Sequence, residues 1–306
     1  MKAKKNLTLI LITLAMFCTF ILSGCSSASA SAGSSAQAGN GAQASNDAQA
    51  GNGTQVGNGA GTTASETEAD LLSRIQESGE IVVAMEGTWA PWTYHDEKDE
   101  LVGYDVEVAQ LIAEKLGVEV KFIEGEWDGL LAGLDDSRYD IMVNGVGITE
   151  ERQEKYDFST PYAYNRTAVI VRDDYNEINS MEDLNGKKTA NTISSTYAMQ
   201  AERYGAEVSG VDDLNQTIEL LLSGRIDATL NAEVTFFDYV NAHPEAGIRI
   251  AAYSDEVERV AIPVRKGDDS ASLLATINDA LAELSESGQL SELSEKYFGT
   301  DISQES

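Results

Sequence analysis

The apolar positions along this chain change period repeatedly, and each change marks an element. "EIVVAM", Glu80 to Met85, is a short unbroken apolar run, the pattern of a buried strand. In "YDVEVAQLIAEKLG" the apolar residues recur at helical spacing. Val106, Ala109, Ala113 and Leu116 fall on one face, Ile112 lies beside them, and Gly117 ends the helix. "VEVKFIE" alternates as a strand does. "WDGLLAGLDDSR" predicts a short helix carrying Leu130, Leu131 and Leu134, and "YDIMVNGV" a further strand. This β-α-β-α-β order predicts a mostly parallel sheet with helices on its faces.

"TAVIVRDD", Thr167 to Asp174, is a longer apolar strand that leaves this unit. A second α/β unit follows. Its strands are "GKKTANTI", "AEVSGV" and "IDATLNA". Its helices are "SSTYAMQAERYG", "DDLNQTIELLLSGR" and "EVTFFDYVNAH", the second with Leu214, Ile218, Leu221 and Leu222 inward. "RVAIPVRKGD", Arg259 to Asp268, reads as a second long apolar strand. The tail from Ser270 is helical, with Gly288 between two helices. The two long strands stand where one unit hands over to the other. Two α/β lobes joined by two crossovers are therefore expected, with residues 71–168 plus 263–306 in one and 169–262 in the other. The C-terminal helices return to the first lobe.

The N-terminus has a different pattern. Lys2, Lys4 and Lys5 precede the apolar run "LTLILITLAMFCTFIL". This is the layout of a secretory signal, and a membrane anchor is the competing reading. "LSGC", Leu22 to Cys25, decides for export, because it resembles the lipobox of bacterial lipoproteins. That resemblance implies a signal peptide over residues 1–24 and a lipid on Cys25, anchoring the protein at the outer face of the cell membrane. Residues 25–70 are rich in Ser, Ala, Gly, Asn and Gln, with recurring "AGNGAQ" and "AGNGTQ" units that cannot bury a core. They are expected to form a disordered tether with an r.m.s. span of about 35–40 Å.

Charge and cysteine usage narrow the function. The chain of 306 residues has 51 acidic and 21 basic side chains, a net charge of −30. Nucleic acids and anionic lipid headgroups are poor partners for such a chain. Of the two cysteines, Cys18 lies in the signal and Cys25 is the lipidation candidate. No disulfide, zinc site or thiol chemistry is expected, and no cofactor. His95 and His243 alone offer little for a metal site or a Ser-His-Asp triad.

In α/β units, ligands meet the loops at the carboxyl ends of strands. There the sequence places Trp89 and Trp92 after "EIVVAM", Trp127 after "KFIEGE", and "NGVGITEERQEKYDFSTPY" after "DIMV". "TISSTY" follows "KKTAN", and "NAEV" follows "IDATL". Arg152 lies in "TEER" at the predicted start of a helix. A guanidinium there can grip both oxygens of a carboxylate, or it pairs with Glu150 or Glu151 at the surface. Gly145 and Gly147 would let a ligand approach the main chain. Trp89 and Trp127 either cover a ligand or pack in the core. Ser195 and Thr196 either contact a ligand or cap a helix.

The run of "EGTWAPWTYHDEKDELVGYDVEVAQLIAEKLG", "EWDGLLAGLDDSRYDIMVNGVGITEERQEKYDFSTPY", "LLSGRIDATL", "AIPVRKGD" and "LSELSEKYFG" resembles the solute-binding proteins of family 3. These are the extracellular amino-acid receptors of ABC importers. The resemblance covers nearly all of residues 71–299. It implies the two-lobed periplasmic-binding-protein fold, type II, which closes on a ligand in the cleft; a monomer is expected. It implies that Arg152 holds the ligand α-carboxylate, aided by Gly145, Gly147 and Thr196; Asn144 and Ser195, at the same strand ends, are further candidate ligand-binding residues. Trp89 and Trp127 would sandwich the ligand side chain, and Glu86 would meet its distal polar end. Two positions depart from the family pattern. Gly147 stands where Ser or Thr is usual, and Ala232 where an Asp usually pairs with the ligand ammonium. Glu233 or Glu86 is the substitute partner expected, since a buried ammonium needs one.

The resemblance implies capture of a polar amino acid or cystine and delivery to an ABC permease with its ATPase. The chain has no Walker motif of its own. An enzyme on the same scaffold, a cyclohexadienyl-dehydratase-like protein using Glu86 or Glu233 as general acid, is one alternative. A receptor reporting ligand to a membrane partner is another.

Overall fold

The computed structural model describes residues 70–305. The signal segment, Cys25 and all of the expected tether but its last residue lie outside the described residues. Helix α1 (Leu71–Ser78) leads into β1 (Glu80–Met85), and a small antiparallel sheet follows, made of β2 (Thr88–Trp89), β3 (Thr93–His95) and β4 (Leu101–Val102). Then come α2 (Tyr104–Leu116), β5 (Glu119–Glu124), α3 (Trp127–Asp135), β6 (Ile141–Met142), α4 (Glu150–Lys155) and β7 (Tyr156–Phe158). The second half contains β8 (Ala163–Arg172), β9 (Lys188–Asn191), α5 (Thr196–Arg203), β10 (Glu207–Gly210), α6 (Leu214–Leu222), β11 (Ala228–Ala232), α7 (Glu233–Ala242) and β12 (Ile248–Val260). The chain closes with β13 (Pro263–Arg265), α8 (Ala271–Glu286) and α9 (Gln289–Phe298).

The predicted period changes correspond to these elements. Strands β5, β1 and β6 form a parallel sheet in that order. Gly117 ends α2 in the left-handed conformation with φ of 73°, which glycine adopts without a Cβ penalty. Val106, Ile112, Leu273, Ile277 and Leu281 share one buried core, so α2 packs with α8 beside the first sheet. Each such side chain stabilises by about 1.5–3 kcal/mol on burial. The C-terminal helices α8 and α9 thus pack against α2. The second sheet has the order β10-β9-β11-β8-β12, and Ile170, Ile218, Leu221 and Phe236 pack in its own core.

Several elements differ from expectation. In the second sheet β10, β9 and β11 are parallel, but β8 runs antiparallel to both β11 and β12. The 13-residue β12 has no counterpart in the sequence reading. It is an edge strand with one partner and two register shifts, so much of it is exposed and its apolar alternation is weak. "RVAIPVRKGD" is not one strand. β12 ends at Val260, and β13 pairs instead with β7. Ser159 makes the exchange of partners: its N–H donates to the Ile262 carbonyl and its hydroxyl accepts from the Ile262 N–H, each at 2.9 Å. The stretch after β1, expected as loop, contains β2, β3 and β4.

Candidate functional site

The candidate site lies at the carboxyl ends of the parallel strands, where loops of both sheets meet. A cavity of about 530 Å³, counting the part open to solvent, is lined from the first sheet by Glu86, Thr88, Trp89, Trp127 and Gly145. From the second sheet come Asn191, Thr192, Ser195, Thr196, Tyr197, Asp213, Leu214, Thr217 and Asn231. Several contacts join the two sides. Trp89 Nε1 donates to Asn231 Oδ1 at 3.3 Å, Arg152 Nη2 donates to the Ser194 carbonyl at 2.8 Å, and the Ser194 hydroxyl donates to Asp128 Oδ1 at 2.6 Å. The lobes therefore stand closed on the cavity.

The first side is built on a brace of polar groups. Glu86 directly follows β1. Its N–H donates to Asn144 Oδ1, and Asn144 Nδ2 donates back to Glu86 Oε2, both at 2.7 Å. Thr93 Oγ1 donates to the same Asn144 oxygen at 3.2 Å. Asn144 is buried and does not line the cavity; it holds Glu86 in place. Burial pushes the Glu86 carboxyl up to about 7, against the Asn144 hydrogen bond and with a further push from Asp213 and Asp128.

Gly145 is at φ +56°, and a Cβ on it would lie 2.5 Å from Trp89 Cζ3. The glycine lets the indole approach the main chain closely, and Trp89 stacks in turn on Trp92 at 5.2 Å between ring centroids. The Gly145 N–H, expected to face a ligand, instead donates to Asp105 Oδ2 at 2.6 Å. Asp105 is fully buried at the start of α2 and also accepts from the Tyr162 hydroxyl at 2.7 Å. Burial pushes its carboxyl up to about 7.

Arg152 sits one layer behind the cavity wall. Thr149 caps α4 by accepting from the Arg152 N–H at 3.1 Å. The guanidinium is buried, with Nη1 on the Gly147 carbonyl at 2.8 Å and Nη2 on the Ser194 carbonyl. It lies 5.3 Å from the Trp127 ring centroid. Burial lowers its pKa, and the neighbouring Glu258 opposes that shift. It pairs with neither Glu150 nor Glu151 within salt-bridge distance among the described residues. Gly147 is likewise behind the wall.

Ser195 lines the cavity and is also the cap of α5, accepting from the Ala198 N–H at 3.1 Å. The Thr196 hydroxyl donates to Glu258 Oε1. Glu233 is not brought to the cavity. As the first residue of α7 it takes two hydrogen bonds from Arg166, at 2.8 and 2.6 Å. Ala232 is buried and offers no polar group. Of the two proposed ammonium partners, only Glu86 lines the cavity.

Asp213, Asn191 and Glu258 are not among the residues the sequence singled out. Asp213 follows β10, and the strand-end rule applied to "AEVSGV" points to it. Glu258 has no such signal, since it lies inside the unrecognised β12.

The sequence model of the bacterial extracellular solute-binding proteins, family 3, matches residues 81–300. A probable amino-acid ABC transporter-binding protein of Haemophilus influenzae is 37% identical over 235 residues, covering 77% of this chain and 91% of the relative. The L-cystine-binding protein TcyA of Bacillus subtilis is 38% identical over 237 residues, covering 77% and 87%. Among solved structures, an ancestral arginine-binding protein bound to arginine superposes with a TM-score of 0.68 at 36% identity, over 72% of this chain and 99% of that one.

Proposed function

This chain belongs to the bacterial extracellular solute-binding proteins of family 3, and from that premise we propose that it captures an amino acid, a polar one or cystine, for an ABC importer. The carrying observation is the cavity itself, walled by strand-end loops of both sheets and bridged by Trp89 with Asn231 and Arg152 with Ser194. Contacts that exist only when both sides meet favour the closed form, and a ligand touching both walls adds to them. In this reading the ligand side chain packs on Trp89 and Trp127. Its carboxylate approaches Ser195 and Thr196, with the positive charge of Arg152 behind them. Cys25 carries the lipid that keeps the protein at the membrane, beside its permease. The binding reading agrees with the names of the relatives, which are binding proteins.

A thermal-shift screen of the full chain in mild detergent tests this, with the common amino acids and cystine as probes. One or a few should raise the melting temperature, since a ligand at 1,000 times its Kd adds about 4 kcal/mol. Failure of every one of them to shift it would sink the amino-acid reading. A second reading rests on Glu86, whose carboxyl near 7 suits a general acid in the cavity. Incubation with a cyclic dienyl acid separates the two: product formation would mean catalysis, and the first reading expects none.

A further inference from the structure

Two carboxylates face one cavity with no cation between them. Glu86 comes from the loop after β1, and Asp213 from the N-terminus of α6 in the second lobe. Among the described residues, no lysine or arginine lines the cavity. Arg152 has its Nη atoms on main-chain carbonyls, and Glu233 is taken up by Arg166. Each cavity acid holds one local hydrogen bond. Asn144 Nδ2 donates to Glu86 Oε2 at 2.7 Å, and the Gln216 N–H donates to Asp213 Oδ1 at 2.9 Å. Glu86 Oε1 and Asp213 Oδ2 accept none among the described residues.

Asn191 adds an independent sign. It is 4% exposed and lines the same cavity. Its Nδ2 donates to the Leu230 carbonyl at 2.8 Å, which fixes the orientation of the amide. Its Oδ1 is then a buried acceptor without a donor. The aromatic rings of Trp89, Trp127 and Tyr197 complete a wall on which a cation is favoured over a neutral group.

We propose that Glu86 and Asp213 form a cation seat spanning the two lobes, completed by Asn191 Oδ1, which selects ligands carrying an ammonium or guanidinium group. This rests on the reading of the chain as a solute-binding protein that closes on its ligand. Closure brings the two acids toward each other, and like charges resist it. A cation between them turns that repulsion into two attractions available only in the closed form. The cation's source is either a basic side chain or the second amino group of a doubled amino acid such as cystine.

Isothermal titration of the full chain in mild detergent at pH 8 tests the seat. The probes are L-arginine against its neutral isostere L-citrulline, L-cystine against cystine with one amine acetylated, and agmatine, which has the guanidinium without a carboxylate. Arginine or cystine should bind at least about tenfold more tightly than its uncharged or blocked counterpart. Asp213→Asn, which keeps a good helix cap, and Glu86→Gln, which keeps the Asn144 hydrogen bond, should each reduce that preference to less than about threefold. Equal binding of citrulline and arginine, with no preference for free cystine, overturns the seat and leaves the amino-acid reading standing. So does a preference that survives both substitutions. Binding of agmatine alone upholds the seat and removes the amino-acid reading. Binding of none of the probes overturns both.

Discussion

The carboxylate of Glu258 occupies the space that any side chain on residue 147 would need. Its Oε1 lies 2.2 Å from the point a Cβ on Gly147 would take. The Thr196 hydroxyl donates to that oxygen, and Asn165 Nδ2 donates to Oε2 at 3.3 Å. The backbone of Gly147 is not left-handed, so the demand for glycine is steric. Burial raises the pKa of Glu258, while Thr196, Asn165 and Arg152 pull it back. Gly147 is thus explained by a residue that β12 brings in from far along the chain.

Gly147→Ala should therefore lower stability by about 1–3 kcal/mol through overpacking. Glu258→Ala removes the obstacle, so the second substitution should recover much of the loss caused by the first. Urea unfolding of both single variants and the double variant gives the coupling energy. Strictly additive effects would show that the two side chains do not compete for this space.

Gly145→Ala carries two penalties. Its φ of +56° is strained for alanine, and the new methyl would meet the Trp89 ring at 2.5 Å. A loss of about 2–4 kcal/mol is expected from strain and overpacking together. The Trp89 indole must move, so intrinsic tryptophan fluorescence should change alongside the melting temperature. An unchanged spectrum with unchanged stability would contradict the packing described.

Arg152→Ala leaves the carbonyls of Gly147 and Ser194 without their donor. The Gly147 carbonyl, a buried acceptor, costs about 1–3 kcal/mol when left unpaired. The fold should be measurably less stable, and ligand binding should weaken at least about a hundredfold. Calorimetry for both quantities checks this. Normal ligand affinity in the variant would remove Arg152 from the binding machinery.

Asp105 predicts a pH dependence. Its carboxyl is raised to about 7 in the folded protein from an ordinary value of 3.8. Between those values the folded state holds a proton that the unfolded state has lost, so this group's contribution to stability falls as pH rises from about 4 to about 7. Asp105→Asn cannot ionise. Wild type should therefore lose stability relative to Asp105→Asn across that window, by about 1.4 kcal/mol for each unit separating the two pKa values. Urea unfolding of both proteins at pH 5 and pH 8 measures it. A constant difference between them would show that Asp105 does not titrate in that range.

Local pattern carried much of this molecule. The unbroken run of β1, the helical spacing of α2 and the stop at Gly117 are properties of neighbouring residues, and the strand-end rule led from them to Trp89, Trp127, Gly145, Ser195 and Thr196 at the cavity. The same rule reaches Asp213, one strand further on. The family resemblance added the roles expected of Glu86 and Arg152 toward a ligand. What neighbouring residues do not encode is which side chain fills the space between distant elements. Only the packed chain seats Arg152 behind the wall on two carbonyls, turns Glu233 to Arg166, and makes Asn144 a brace. Only the packed chain sets Glu258 against Gly147, because β12 is an exposed edge strand whose own sequence has little apolar period. Periodicity reports how a segment meets its own environment; the contents of the cavity depend on contacts between segments far apart in sequence.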